Sequence, residues 1–93
     1  SLAVKEKARG RKKAERRIID IMRNSCEGGS DYADKVFISN SECLKDAESV
    51  ADKVRTNFPQ VKTVDIFDIG ATIGVHTGPG TVATFWWGAK GRA

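Results

Sequence analysis

Two stretches of helical periodicity alternate with four β-forming runs, and that alternation restricts this 93-residue chain to an α/β arrangement. From Arg11 to Cys26, the apolar residues Ala14, Ile18, Ile21, Met22 and Cys26 fall on one helical stripe, with Lys12, Lys13, Arg16, Arg17, Asp20 and Arg23 away from it. Gly28-Gly29 marks the stop. From Glu42 to Phe58, a second stripe holds Leu44, Ala47, Val50, Ala51, Val54 and Phe58, and Pro59 prevents continuation. Ser39-Asn40-Ser41-Glu42 has the spacing of a capping box in front of it, with acids early in the helix and cations late, as the helix dipole favours. The strand signals are Leu2 to Lys7, Lys35 to Ser39, Val61 to Phe67 and Thr81 to Trp87. Neighbours on a strand face opposite ways. One of Trp86 and Trp87 therefore packs in the core, and the other meets the far sheet face or a further domain.

The resulting order, β-α-β-α-β-β, predicts a single domain with a two-layer mixed β-sheet and helices packed on one face. Crossovers by the two helices give parallel pairs among the first three strands. The last strand, joined by a long loop, runs antiparallel to a neighbour. A natural hairpin partner for the first strand would lie before Ser1.

Charge separates the two ends of the chain. Residues 1–17 carry eight Lys/Arg against two Glu, a net +6, whereas residues 18–93 carry eight against ten, a net −2, for +4 overall. The basic run Lys7, Arg9, Arg11, Lys12, Lys13, Arg16 and Arg17 contains no aromatic residue to stack bases. It crowds cations into the first turns of a helix, where the dipole disfavours them. A solvated helix face, nucleic-acid phosphates and an acidic protein partner or phosphorylated ligand are all compatible with it. No apolar run approaches the length of a membrane span, and no secretory leader pattern is present. Cys26 and Cys43 lack metal-ligand spacing and read as free thiols of a cytoplasmic protein.

The stretch that carries chemistry is Ile69-Gly70-Ala71-Thr72-Ile73-Gly74-Val75-His76-Thr77-Gly78-Pro79-Gly80-Thr81, which holds the only histidine and four of the nine glycines. Glycine lets backbone approach a ligand closely, and a histidine flanked by threonine hydroxyls can donate to a carboxylate or phosphate. The loop is neither a Walker loop, since no Gly-Lys-Ser/Thr follows, nor a dinucleotide fingerprint, since no helix follows. One histidine without a nearby cysteine argues against a metal site. No convergent nucleophile, base and orienting group is apparent, so binding is favoured over catalysis.

This loop resembles the closing signature of the DegV family of fatty-acid-binding proteins, with its Ile-Gly-x-x-Ile-Gly-x-His-Thr-Gly-Pro-Gly-Thr pattern. Lys7-Ala8-Arg9-Gly10-Arg11-Lys12-Lys13-Ala14 resembles that family's basic strand-to-helix junction, and the order and separation of the two motifs fit. The likeness covers nearly all of the chain but only the C-terminal third or so of a full family member. It implies that residues 1–93 form the C-terminal domain of a carrier whose N-terminal domain is missing here. It further implies no enzymatic activity and no cofactor. The long-chain fatty acid would be held between the two domains, with His76 meeting its carboxylate beside Thr77, Gly78 and Gly80, for phosphorylation by a partner fatty acid kinase. Of the three readings of the basic junction, the likeness favours docking of that kinase or its acyl phosphate through Arg9, Arg11 and Lys12. The alternative is a small basic α/β module that binds nucleic acid. The chain departs from the family where Trp86-Trp87 replaces commoner aliphatic residues or Phe, and where Ala71-Thr72 replaces a commoner Pro-Val.

Overall fold

The computed structural model describes residues 2–7, 11–69 and 80–89, with backbone only for 2–7 and 11. Strand β1 (Leu2–Lys7) leads to helix α1 (Arg11–Ser25), a single 3-10 turn at Gly29–Asp31, β2 (Lys35–Asn40), helix α2 (Leu44–Asn57), β3 (Thr63–Asp68) and β4 (Thr81–Trp87). The expected element order and the two-layer mixed sheet are therefore present, with the 3-10 turn as an addition.

The four strands lie in the order β1-β4-β2-β3. β2 and β3 pair in parallel, with Val36 opposite Val64 and Ile38 opposite Ile66. β4 is antiparallel to both β1 and β2. The first three strands thus run in one direction, but β2 and β3 alone among them are neighbours, because β4 inserts between β1 and β2. Thr81, Val82, Ala83 and Thr84 are buried in succession. Such a run suits a central strand flanked on both edges by β1 and β2.

Alternate residues of the sheet face the helix layer. Val36, Ile38, Val82 and Trp86 are buried there with Ile18, Ile19 and Met22 of α1 and Ala47, Val50, Ala51 and Val54 of α2. Tyr32, fully buried after the 3-10 turn, donates its hydroxyl to the Lys35 carbonyl at 2.6 Å and accepts the Trp87 N–H at 3.0 Å. Burial pushes its phenol above the ordinary range. The Trp86 indole donates to Ser25 Oγ at 3.1 Å, which fixes the expected inward tryptophan. Trp87 is the outward one, 45% exposed.

Five details differ from the sequence reading. On α1, Ile19 and Glu15 are buried and Ile21 only partly so. Glu15 is tolerated because Ser49 Oγ donates to it at 2.9 Å and Lys53 lies 3.8 Å away. Helix α2 begins at Leu44 rather than Glu42, since Glu42 adopts φ 57°, outside the right-handed helical region. The capping box is absent. Cys43 is the N-cap and makes no side-chain cap, while Leu44 is 47% exposed instead of lying in the core. β3 starts at Thr63, because Val61 donates its N–H to the Phe58 carbonyl in a turn after α2.

Candidate functional site

One end of the sheet gathers the chain segments that the sequence singled out. Lys7, the last residue of β1, lies opposite Thr81, the first residue of β4. Asn40, at the end of β2, lies opposite Val82 on one side and Asp68, the end of β3, on the other. The basic junction and both ends of the glycine loop therefore emerge from the same edge. It is the carboxyl edge of β1, β2 and β3, where ligands of open α/β sheets bind.

Asn40 is the hub of this edge. Its position at the buried end of an alternating strand places the side chain in the helix-facing layer with no exposure. The side-chain amide donates to the Phe67 carbonyl at 3.1 Å, and its oxygen accepts the Cys43 N–H at 3.1 Å. Its own carbonyl accepts the Ile69 N–H at 3.0 Å. Next to it, the Ser41 carbonyl accepts the Gly80 N–H at 2.8 Å, and the Ser41 N–H donates to the Thr81 carbonyl at 3.0 Å. Two consecutive residues thereby clamp Ile69 on one side and Gly80-Thr81 on the other, the two anchors of the glycine loop. Gly80 has φ 83°, a left-handed conformation that glycine adopts without strain.

The thiol of Cys43 donates to the Thr81 carbonyl at 3.4 Å. Burial pushes its pKa up, Asp46 and Asp68 push it the same way, and a hydrogen bond with the Ser41 backbone opposes them. A raised pKa disfavours the thiolate form that a nucleophile needs. Ser41 Oγ is fully buried and has no hydrogen-bond partner. Among the described residues, no group of three His, Cys, Asp or Glu could hold a metal ion, and none of their helices is long and apolar enough to cross a membrane.

Of the residues proposed for ligand contact, Gly80 is placed at the clamp, whereas His76, Thr77 and Gly78 lie outside the described residues. Of those proposed for partner contact, Lys12 is exposed on α1, Arg9 lies outside the described residues, and Arg11 is described in backbone only. The sequence reading does not single out as site residues Asn40 and Ser41, which anchor both ends of the glycine loop. The signal lies in Asn40: an amide at the end of an apolar strand, directly before a helix, is an expensive side chain to bury unless it bonds to backbone.

A family model described as "Uncharacterised protein, DegV family" matches residues 1–88. The chain belongs to the DegV family. A DegV domain-containing protein of Clostridium perfringens is 38% identical over 82 residues, 88% of this chain and 27% of the relative. One from Halalkalibacterium halodurans is 32% identical over 87 residues, 94% of this chain and 30% of the relative. A third, from Listeria monocytogenes, is 31% identical over 81 residues, 87% of this chain and 28% of the relative. The chain thus spans less than a third of the length of these DegV relatives. Among solved structures, the Streptococcus pneumoniae fatty acid kinase B3 protein, determined loaded with linoleic acid, superimposes with a TM-score of 0.65 at 16% identity. The match covers 82% of this chain and 25% of that one. This likeness establishes the fold of the DegV domain described here.

Proposed function

We propose that residues 1–93 are the C-terminal domain of a cytoplasmic DegV carrier that helps hold a long-chain fatty acid for phosphorylation by a partner fatty acid kinase. The domain itself binds and presents; it does not catalyse. The observation that carries this reading is the shared edge. Lys7 lies opposite Thr81, so the basic junction and the anchors of the His76 loop open toward the same place. Family membership supports the reading, and so does the likeness to a protein solved with linoleic acid bound. In this reading His76 meets the fatty-acid carboxylate together with Thr77, Gly78 and the fixed Gly80, and the missing N-terminal domain supplies the other half of the site. Arg9, Arg11 and Lys12 face the kinase or the acyl phosphate.

The test separates binding from docking in the longer chain that carries this domain. His76→Ala is expected to weaken oleate binding by about 1–3 kcal/mol, the size of a charge-assisted hydrogen bond. Charge reversal at Arg9, Arg11 and Lys12 is expected to abolish acyl-phosphate formation in a coupled assay and leave oleate affinity intact, since tail burial dominates that affinity. Unchanged affinity in His76→Ala removes the carboxylate role. The exposed Lys12, Lys13, Arg16 and Arg17 on α1 keep the nucleic-acid reading testable. Tight, steeply salt-dependent retardation of DNA or RNA by the unmodified domain would favour it.

A further inference from the structure

The helix layer covers one face of the sheet, and the other face is aromatic. Phe37 and Phe85 are cross-strand partners on it and are half-buried. Phe67 is 51% exposed, with its ring centroid 6.1 Å from that of Phe37, and Trp87 is 45% exposed at the end of β4. Ser39 and Ala83, paired between them, are small and leave the rings proud of the strands. These side chains sit on a fixed frame. The Trp87 N–H is held by Tyr32 and its carbonyl accepts the Glu27 N–H at 3.0 Å. A contiguous patch of ordered aromatic rings on a small domain marks an interaction surface.

The sheet's β3 edge is guarded against another strand. Asp65 and Asp68 lie in its six residues, and Pro59 precedes it. On the aromatic face the charged register positions flank the rings: Asp65 stands opposite Phe37 and Lys35 opposite Thr63, while Lys5 and Lys7 of β1 pair with Ala83 and Thr81. An occupant of this face is therefore apolar where it meets the rings and polar at its margins.

We infer that this face is an intramolecular docking surface, covered by the part of the longer DegV chain that lies outside these residues. The relatives supply the argument for that occupant. The aligned segment makes up 27–30% of each, so more than two thirds of their length remains to pack against it. A tethered surface meets the face at an effective concentration that an untethered partner cannot match, of the order of mM for a short flexible link. The inference rests on the reading of residues 1–93 as one domain of a longer chain, and not on the identity of the ligand.

The test is hydroxyl-radical footprinting of the 93-residue chain and of the longer chain, both stripped of lipid, with mass spectrometry at Phe67 and Trp87. Both residues are expected to oxidise several-fold more slowly in the longer chain, while Pro59, exposed beyond the C-terminal end of α2, serves as an internal standard. Equal rates in the two chains would overturn the inference. Protection in the 93-residue chain that rises with its own concentration, without protection in the longer one, would assign the face to a second copy. Protection of the longer chain only after oleate is added would assign it to the ligand. Either result overturns the proposal. The double variant Phe67→Glu/Trp87→Glu gives a second measurement. In the 93-residue chain the melting temperature is expected to stay close to wild type, because both side chains are exposed there. In the longer chain, limited proteolysis between the two parts is expected to accelerate, and an unchanged rate would count against the inference. Oleate titration of the longer chain keeps the two readings apart: protection without oleate binding refutes the fatty-acid reading and leaves the docking surface standing.

Discussion

Replacing Asn40 by Ala removes two hydrogen bonds from a site without solvent. The Phe67 carbonyl loses its donor at 3.1 Å and the Cys43 N–H its acceptor at 3.1 Å. Each net bond is worth about 0.5–1.5 kcal/mol, and each backbone group left dry adds to that toward about 1–3 kcal/mol. With some relief from local relaxation, the expected loss is about 2–4 kcal/mol, which for a domain of this size lowers Tm by about 8–30 °C. Asn40→Asp separates hydrogen bonding from volume. The carboxylate still accepts from Cys43 but sets an anionic oxygen against the Phe67 carbonyl, so it is expected to be no better than Ala at neutral pH. Its folded pKa must then lie above the usual carboxylate value, because a protonated carboxyl can donate to that carbonyl. A raised folded pKa means that the deficit relative to wild type is smallest below about pH 4 and grows as pH rises through and above that range. Denaturant melts of wild type and both variants between acidic and neutral pH read this directly. Should Asn40→Ala cost less than about 1 kcal/mol, or Asn40→Asp match wild type at neutral pH, the hub assignment is wrong.

Gly80→Val places a β-branched residue at φ 83°, where an added Cβ meets nothing within 4 Å. The cost is therefore conformational, about 1–3 kcal/mol. Gly80→Ala is expected to show most of the same loss, and a wild-type melt for either would refute the strain argument. In a Cys26→Ala background, Cys43 is expected to react with a disulfide reagent more slowly than a free thiol at pH 8. Asp68→Asn should speed the reaction by removing one of the charges that hold its pKa up. A rate equal to that of a small-molecule thiol would show that the burial and charge argument fails.

How legible this fold was in the sequence differs by element. β4 is legible to the residue, because Thr81 to Trp87 is a β-forming run bounded by Gly80 and Gly88. The opposite orientations of Trp86 and Trp87 followed from the two-residue period alone. The start of α2 is not legible, because the capping-box pattern in Ser39-Asn40-Ser41-Glu42 is a local signal and tertiary structure claims its residues. β2 extends through Asn40, so Ser39, which the local spacing makes the N-cap, lies inside the sheet opposite Phe67 and Ala83. Glu15 was placed by periodicity on no particular face, and only the distant Ser49 and Lys53 make its burial tolerable. Such partners, 34 residues away in one case, leave no mark in a window of one helix. The site was legible as a motif, through His76, Thr77, Gly78 and Gly80, but its support was not.

The position of β4 explains why a motif and its support separate in this way. A chain that only repeated β-α units would place β1 beside β2, and the junction after β1 would then open next to the start of α2. Inserting β4 between them moves β1 one strand outward and brings Thr81 against Lys7 on one side, with Val82 against Asn40 on the other. β3 ends and β4 begins at the same carboxyl edge, so the loop between them has both its ends there. Its two ends are fixed by hydrogen bonds to residues 40 and 41, and not to its own neighbours. A glycine-rich loop held this way has set end points, whatever its interior sequence. Both anchors are main-chain bonds of residues 40 and 41, and the Asn40 side chain supports them by holding the Phe67 carbonyl and the Cys43 N–H on either side.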